Sequence, residues 1–128
     1  MLDTNTVSFI IRNHPVIIQH MVSIPPSSVF ISAITEGELR FGLEKRPEAK
    51  RLFIAVQEFL RCVDILPWGS AVSKTYAAVR AQMEKNGSIL SSLDMLIAAH
   101  AISVKYVLVS NDKAFIQVPN LKLEDWTV

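Results

Sequence analysis

Residues 93–112, which read LDMLIAAHAISVKYVLVSND, decide how this chain folds. Residues 93–103 are apolar at nearly every position, a pattern typical of a helix that is buried on all sides. The run Tyr106–Val109 then indicates a short buried strand. One aspartate, Asp94, begins the helix, and another, Asp112, follows the strand. Since buried carboxylates are normally paired or bound to a metal, both are candidates for a functional site.

Short apolar runs alternate with segments of helical period along the rest of the chain. The predicted strands are 1–2, 29–31, 63–66, 106–109 and a weaker edge strand at 121–123. The predicted helices cover 7–11, 32–45, 48–61, 69–85 and 93–103. Strands separated by helices predict a single α/β domain over residues 1–128, in which the sheet is mostly parallel.

Two further acids lie in surroundings that are unusual for a carboxylate. Asp3 directly follows the first predicted strand, and Glu38 shares a helix face with Ile34. In a parallel sheet, sites form beyond the carboxyl ends of the strands. The topology can therefore bring Asp3 and Glu38 to the same edge of the sheet as Asp94 and Asp112.

Each of these acids also has an ordinary structural interpretation. Asp3 and Asp112 can cap helices, and Asp94 fits the first turn of a capped helix. Glu38 can be a surface acid that pairs with a lysine or an arginine. Glu36, two positions earlier, points to another side of the helix and is expected to be ordinary surface.

The composition limits the classes of function that remain. The chain is 50% hydrophobic and 20% charged, and its net charge of +1 excludes the broad basic field of strong non-specific nucleic-acid binders. Cys62 is the only cysteine, which fits a reducing cytosol, and its apolar neighbours predict that it is buried. No signal peptide or membrane span is visible, so we expect a soluble cytoplasmic protein. The histidines lack a zinc-binding spacing, and His100 is expected to be structural.

Four blocks of sequence, in this order, resemble the PIN-domain ribonucleases and, among them, the VapC-type toxins of bacterial toxin–antitoxin pairs. The blocks are Leu2–Asn5, Ser32–Gly42, Leu93–Ala101 and Val109–Asp112. The resemblance implies a three-layer α/β/α fold and an Mg²⁺ or Mn²⁺ cofactor. Its catalytic and metal-ligating acids fall on Asp3, Glu38, Asp94 and Asp112. Asn5 and Ser110 would orient these carboxylates or a bound water.

The same resemblance implies a function and partners. It implies cleavage of structured RNA, with the anticodon stem-loop of initiator tRNA favoured over other tRNAs or a ribosomal loop, and hence inhibition of translation. A VapB-type antitoxin would neutralise the toxin, and a homodimer is expected. A local basic region follows Glu38 and can contact RNA backbone, although a solvated helix face explains any one of its residues at least as well. It consists of Arg40, Lys45, Arg46, Lys50 and Arg51, and the first three are the predicted RNA-binding residues. A catalytically silent binding module and a structure-specific DNA nuclease remain the alternatives.

The chain departs from the family pattern in two places. Only two residues precede Asp3, where the first strand normally has several, so either this strand is short or translation starts upstream. Ser91 and Ser92 stand where close relatives usually carry a glycine and a proline. The second departure affects the loop before Asp94 but removes no candidate ligand.

Overall fold

The computed structural model describes residues 1–128 as six α-helices around a small parallel sheet. The helices are α1 (Thr4–Ile11), α2 (Pro15–Val22), α3 (Ala33–Glu44), α4 (Lys50–Cys62), α5 (Ser70–Lys85) and α6 (Ser92–Val104). The strands are β1 (Phe30–Ser32), β2 (Asp64–Leu66), β3 (Leu108–Val109) and β4 (Leu123–Glu124). Two 3₁₀ helices cover Pro26–Ser28 and Lys113–Gln117. No helix combines the length and the apolar character that crossing a bilayer requires.

Leu2 joins two pairs of strands into one sheet. β1 pairs with β2 and β3 pairs with β4, both in parallel. Leu2 forms parallel bridges to Ile31 on one side and to Val109 on the other. Its amide donates to the carbonyl of Phe30 at 2.9 Å, and the amide of Val109 donates to the carbonyl of Met1 at 2.8 Å. The short first strand expected from the sequence is therefore present as a single bridging residue at the centre of the sheet.

Two apolar cores lie on opposite faces of this sheet, because successive side chains of a strand point to opposite sides. Met1 and Leu108 pack against residues of α5 and α6 on one face. Leu2 and Val109 pack against residues of α1 to α4 on the other. This arrangement confirms the predicted three-layer α/β/α sandwich with a mostly parallel sheet.

Helix α6 is the most deeply buried helix of the fold. Its buried residues are Met95, Ile97, Ala98, Ala99, His100 and Ala101. It ends at Lys105, which adopts the left-handed conformation at φ 62°. The chain then turns directly into β3, so the helix and the strand hold Asp94 and Asp112 in fixed positions.

The prediction that Cys62 is buried is wrong, because its thiol is exposed in the last turn of α4. The buried stripe of α4 passes through Val56 and Leu60, which are four positions apart. Cys62 lies two positions beyond Leu60 and so faces the opposite side of the helix.

Candidate active site

Two of the four candidate acids lie directly beyond the carboxyl ends of the central strands. Asp3 follows Leu2 and caps α1, where its Oδ1 accepts from the amide of Thr6 at 2.8 Å. Asp112 follows β3 and caps the 3₁₀ helix at 113–117, where its Oδ1 accepts from the amide of Ala114 at 2.9 Å. Both capping interpretations are correct, and they fix the backbone that carries each carboxylate.

The other two acids come from helices on opposite faces of the sheet. Asp94 lies in the first turn of α6, and its amide donates to Oγ of Ser91, the N-cap, at 3.3 Å. Glu38 lies in the middle of α3 and is only partly exposed. Its Oε1 accepts from the hydroxyl of Thr4 at 2.6 Å. No lysine or arginine pairs with Glu38, so the surface-pair interpretation of this residue is wrong.

Three of the four acids line one cavity of about 360 Å³, which we call the acidic pocket. Its walls are formed by Asp3, Thr4, Asn5, Glu38, Ser91, Ser92, Leu93 and Asp94. No basic side chain lines it. The structure thus brings Asp3, Glu38 and Asp94 together from α1, α3 and α6, at the edge of the sheet that the topology predicts.

Asp112 lies beside the acidic pocket and acts on it through its charge. Burial raises the pKa of Asp3, and the negative charge of Asp112 raises it further, while hydrogen bonds from Ser110 and Thr6 oppose the shift. Burial also raises the pKa of Asp94, with added repulsion from Asp112 and Asp3 and an opposing hydrogen bond from Ser91. The carboxylates therefore repel one another across a space that no cation of the chain fills.

The two predicted orienting residues occupy different positions. Ser110 is buried, and its hydroxyl accepts from the amide of Asp112 at 3.0 Å while also bonding Asp3. Asn5 is exposed on the rim of the acidic pocket. Sequence reasoning missed Thr4, which holds Glu38, because a hydrogen bond between two helices leaves no trace in residue spacing.

A buried hydrogen bond connects the helices that carry Glu38 and Asp94. Nδ1 of His100 in α6 lies 2.7 Å from Oγ of Ser32, the N-cap of α3, and both residues are buried. Burial lowers the pKa of His100, which favours the neutral ring. The predicted structural role of His100 is confirmed, because its bond to Ser32 fixes the start of α3 against α6.

The predicted RNA-binding residues do not lie together. Arg40 forms an ion pair with Glu36 at 2.8 Å and lines a separate cavity on the outer side of α3. The ammonium of Lys45 lies 5.0 Å from the centre of the Phe41 ring. Arg46 instead lines a cavity that adjoins the acidic pocket. The same cavity is lined by Arg12, which the sequence interpretation did not include.

The acidic pocket offers oxygen ligands only. Its side chains carry carboxylate, amide and hydroxyl oxygens, and neither histidine nor cysteine lines it. As the side chains stand, no three His, Cys, Asp or Glu residues form a group spaced to hold a metal ion. The carboxylates of Asp3, Glu38 and Asp112 instead accept hydrogen bonds from Thr6, Thr4 and Ala114, so cation binding would require these side chains to reorient.

The chain is similar to proteins of known family over nearly its whole length. The PIN-domain family model matches residues 1–121. The tRNA(fMet)-specific endonuclease VapC of Salmonella typhimurium is 33% identical over 127 residues, which cover 98% of this chain and 96% of the relative. Ribonuclease VapC2 of Haemophilus influenzae is 32% identical over 127 residues, which cover 98% of this chain and 96% of that relative.

Solved toxin–antitoxin structures share the fold. VapBC2 from Rickettsia felis, bound to a DNA fragment from its promoter, matches with a TM-score of 0.92 and 30% identity, over 98% of this chain and 97% of that one. DNA-bound VapBC from Salmonella typhimurium matches with a TM-score of 0.91 and 33% identity, over 98% of this chain and 96% of that one.

Proposed function

The chain belongs to the PIN-domain family, among the VapC ribonucleases, and from this membership we propose that it is an Mg²⁺- or Mn²⁺-dependent endoribonuclease toxin. The observation that carries the proposal is the acidic pocket, where Asp3, Glu38 and Asp94 face one cavity without a basic partner. Such an arrangement is unfavourable for the isolated protein and favourable for one that binds a cation.

The donor set of the acidic pocket fits a hard divalent cation. Mg²⁺ and Mn²⁺ prefer oxygen ligands and commonly retain several waters when they bind to proteins. Asp3 and Asp94 would hold the cation, with Glu38 and Asp112 ligating directly or through water. When bound, the cation would supply the positive charge that lets a phosphodiester approach these carboxylates and that stabilises charge developing on its oxygens.

The remaining polar residues would keep the acids in place. Ser110 accepts from the amide of Asp112, and its hydroxyl opposes the rise of the Asp3 pKa, so it acts on two of the acid positions. The hydroxyl of Thr4 holds Glu38 at the wall of the acidic pocket. Partners of this kind typically change metal affinity or activity by about 10–100-fold when they are removed.

The proposed substrate is structured RNA, with initiator tRNA favoured. Two relatives, from Salmonella typhimurium and Shigella flexneri, are tRNA(fMet)-specific endonucleases VapC, and they are 33% and 30% identical to this chain. The two alignments cover 98% and 99% of this chain. Cleavage of this tRNA would inhibit the start of translation in the cytoplasm.

The proposed partner is a VapB-type antitoxin, since the solved relatives are VapBC complexes. Binding of the antitoxin would neutralise the toxin. A homodimer of this chain, as the family leads us to expect, is part of the same proposal.

The proposal is tested by incubating the purified protein with initiator tRNA and, separately, with a flap DNA of similar size. We expect cleavage of the tRNA when Mg²⁺ or Mn²⁺ is present, none with excess chelator, and little cleavage of the DNA. Asp94→Asn should lower the rate by about 100-fold or more if Asp94 holds the cation. The exposed Asp64→Asn is the matched control, and circular dichroism verifies that both variants are folded. Cleavage that persists in chelator or in Asp94→Asn contradicts the proposal.

A further inference from the structure

The arginines of this chain divide into two groups. Three of the six form ion pairs with a glutamate on the same helix, namely Arg40, Arg61 and Arg80. Arg12, Arg46 and Arg51 form no ion pair. Two of these unpaired arginines, Arg12 and Arg46, line the same cavity of about 330 Å³ between α1, α3 and α4, which we call the arginine groove.

The arginine groove is continuous with the acidic pocket. The two cavities share three lining residues, Thr4, Asn5 and Glu38. A ligand seated between the carboxylates can therefore extend directly into the arginine groove. The path along α1 is polar, since Thr4 and Asn5 are followed one turn later by Ser8.

Arg12 is held in a position that leaves its charge available. Its Nε donates to the carbonyl of Ser8 at 3.3 Å, at the carboxyl end of α1, and its guanidinium lies 5.1 Å from the centre of the Phe9 ring. These contacts fix the plane of the guanidinium but leave its two terminal amino groups free to donate. Arg46 approaches the arginine groove from the other side, just beyond the end of α3. Two unpaired guanidinium groups thus face one space, and bidentate donation to a phosphate is the interaction that suits them.

We propose that Arg12 and Arg46 bind a backbone phosphate of the RNA strand, next to the phosphate that is cut at the acidic pocket. This inference rests on the proposed function and adds to it the residues that place the substrate. The net charge of +1 provides no general attraction for a polyanion, so clusters of positive side chains must bind the RNA backbone. RNA carries one negative phosphate per nucleotide. One phosphate can therefore bind the two arginines while the neighbouring phosphate binds, through a cation, to the carboxylates.

An acidic side chain of a protein partner is the competing occupant. It would satisfy Arg12 and Arg46, but it leaves the acidic pocket without a ligand unless the same partner also presents a cation there. The side-chain amide of Asn5 and the hydroxyl of Ser8 match the ribose and phosphate oxygens of a nucleic-acid strand. The observations therefore favour RNA, and the protein occupant becomes an outcome of the test.

The test compares Arg12→Gln and Arg46→Gln with Arg80→Gln, which removes an arginine of α5 that pairs with Glu84 and lines neither the arginine groove nor the acidic pocket. Cleavage of initiator tRNA is measured at several KCl concentrations with Mg²⁺ held constant. We expect Arg12→Gln and Arg46→Gln, the groove variants, each to raise KM by about 5–10-fold with little change in kcat. Each should also reduce the steepness of log(kcat/KM) against log[KCl] by about 0.7, which is the value for one lost phosphate contact on a single strand. Arg80→Gln should change neither quantity by more than about twofold.

A second measurement tests phosphate binding by Arg12 and Arg46 independently of RNA cleavage. Filter binding of the same tRNA, without regard to cleavage, should show the same weakening for Arg12→Gln and Arg46→Gln. If the wild-type chain does not cleave RNA, the proposed function fails, yet this binding comparison still decides the present inference. Equal tRNA binding by wild type and both groove variants overturns it, as does weaker binding of the antitoxin with unchanged binding of tRNA. Should Arg12→Gln unfold because its contacts with Ser8 and Phe9 are lost, Arg46→Gln alone decides the result.

Discussion

Two cavities of similar size border the same sheet but differ in the polarity of their linings. The acidic pocket has a volume of about 360 Å³, and its only apolar lining residue is Leu93. A second cavity of about 400 Å³ is lined mainly by apolar residues, including Met1, Phe30 and Val107. We call it the apolar cavity. Glu124 is the single carboxylate that lines the apolar cavity, whereas three carboxylates line the acidic pocket.

The difference shows that the direction of the strands, rather than the volume of the space, decides where chemistry can occur. Residues that follow the parallel strands leave the sheet at one edge, and polar groups there converge without interrupting the apolar core. Asp3 and Asp112 occupy this edge, and Asp94 reaches it from the start of α6. Near the amino ends of β1 and β3, the rings of Phe30 and Tyr106 stack with centroids 4.8 Å apart and line the apolar cavity.

The strongest test of this comparison uses two glutamates of one helix. Glu38→Gln removes a carboxylate that faces the acidic pocket, whereas Glu36→Gln removes one that pairs with Arg40. We expect Glu38→Gln to lower the rate of Mg²⁺-dependent RNA cleavage by about 10–100-fold. Glu36→Gln should stay within about twofold of wild type, because an exposed ion pair contributes little.

Each variant replaces one carboxylate oxygen by an amino group on the same helix, and circular dichroism verifies that both variants are folded. Cleavage time courses at saturating tRNA and matched Mg²⁺ provide the measurement. Equal rates for the two variants would mean that Glu38 has no role in the reaction and that the acidic pocket is not the active site.

The fold could be predicted from the sequence because its central elements carry strong local patterns. The run of apolar residues in α6, followed at once by β3, has no other stable placement than the interior of an α/β domain. The two-residue start of the chain was correctly recognised as a short strand, and it forms the bridge at Leu2. The resemblance to VapC ribonucleases, based on four blocks, is confirmed by relatives that cover nearly the whole chain.

The site was only partly accessible from the sequence, and the reason is physical. The acids could be found because carboxylates are rare beside buried segments. Contacts between helices depend on how the helices cross, so the bond from Thr4 to Glu38 and the bond from His100 to Ser32 could not be predicted. Arg12 was missed for the same reason, since it is far from Arg46 in the sequence but lines the same groove.

A second prediction concerns the stability of the acidic pocket without a cation. Because burial and the charge of Asp112 raise the pKa of Asp3, the folded state binds this proton more tightly than the unfolded state does. Stability should therefore fall as the pH rises from the ordinary pKa range of an aspartate, about 4, through the raised value, and should stay low at neutral pH. Asp3→Asn keeps the helix cap but removes the charge, so we expect it to stabilise the chelator-treated protein by about 0.5–2 kcal/mol at pH 7.

Thermal unfolding at pH 4 and pH 7, with chelator present, measures this effect. The gain from Asp3→Asn should be greater at pH 7 than at pH 4, and added Mn²⁺ should raise the unfolding temperature of the wild type more than that of the variant. A variant that is less stable than wild type at pH 7 would show that Asp3 is satisfied by its hydrogen bonds alone and carries no penalty that a cation could relieve.

The smallest effect is expected in the apolar cavity. Tyr106→Leu removes the ring that stacks on Phe30 but leaves an apolar side chain in its place. An aromatic pair contributes about 0.5–1.5 kcal/mol beyond the area it buries, so chemical denaturation should show a loss of that order. RNA cleavage should remain within about twofold of wild type, because the apolar cavity shares no lining residue with the acidic pocket. A folded Tyr106→Leu protein with strongly reduced cleavage would mean that the two cavities are coupled through the sheet, and that the functional separation inferred from their linings is wrong.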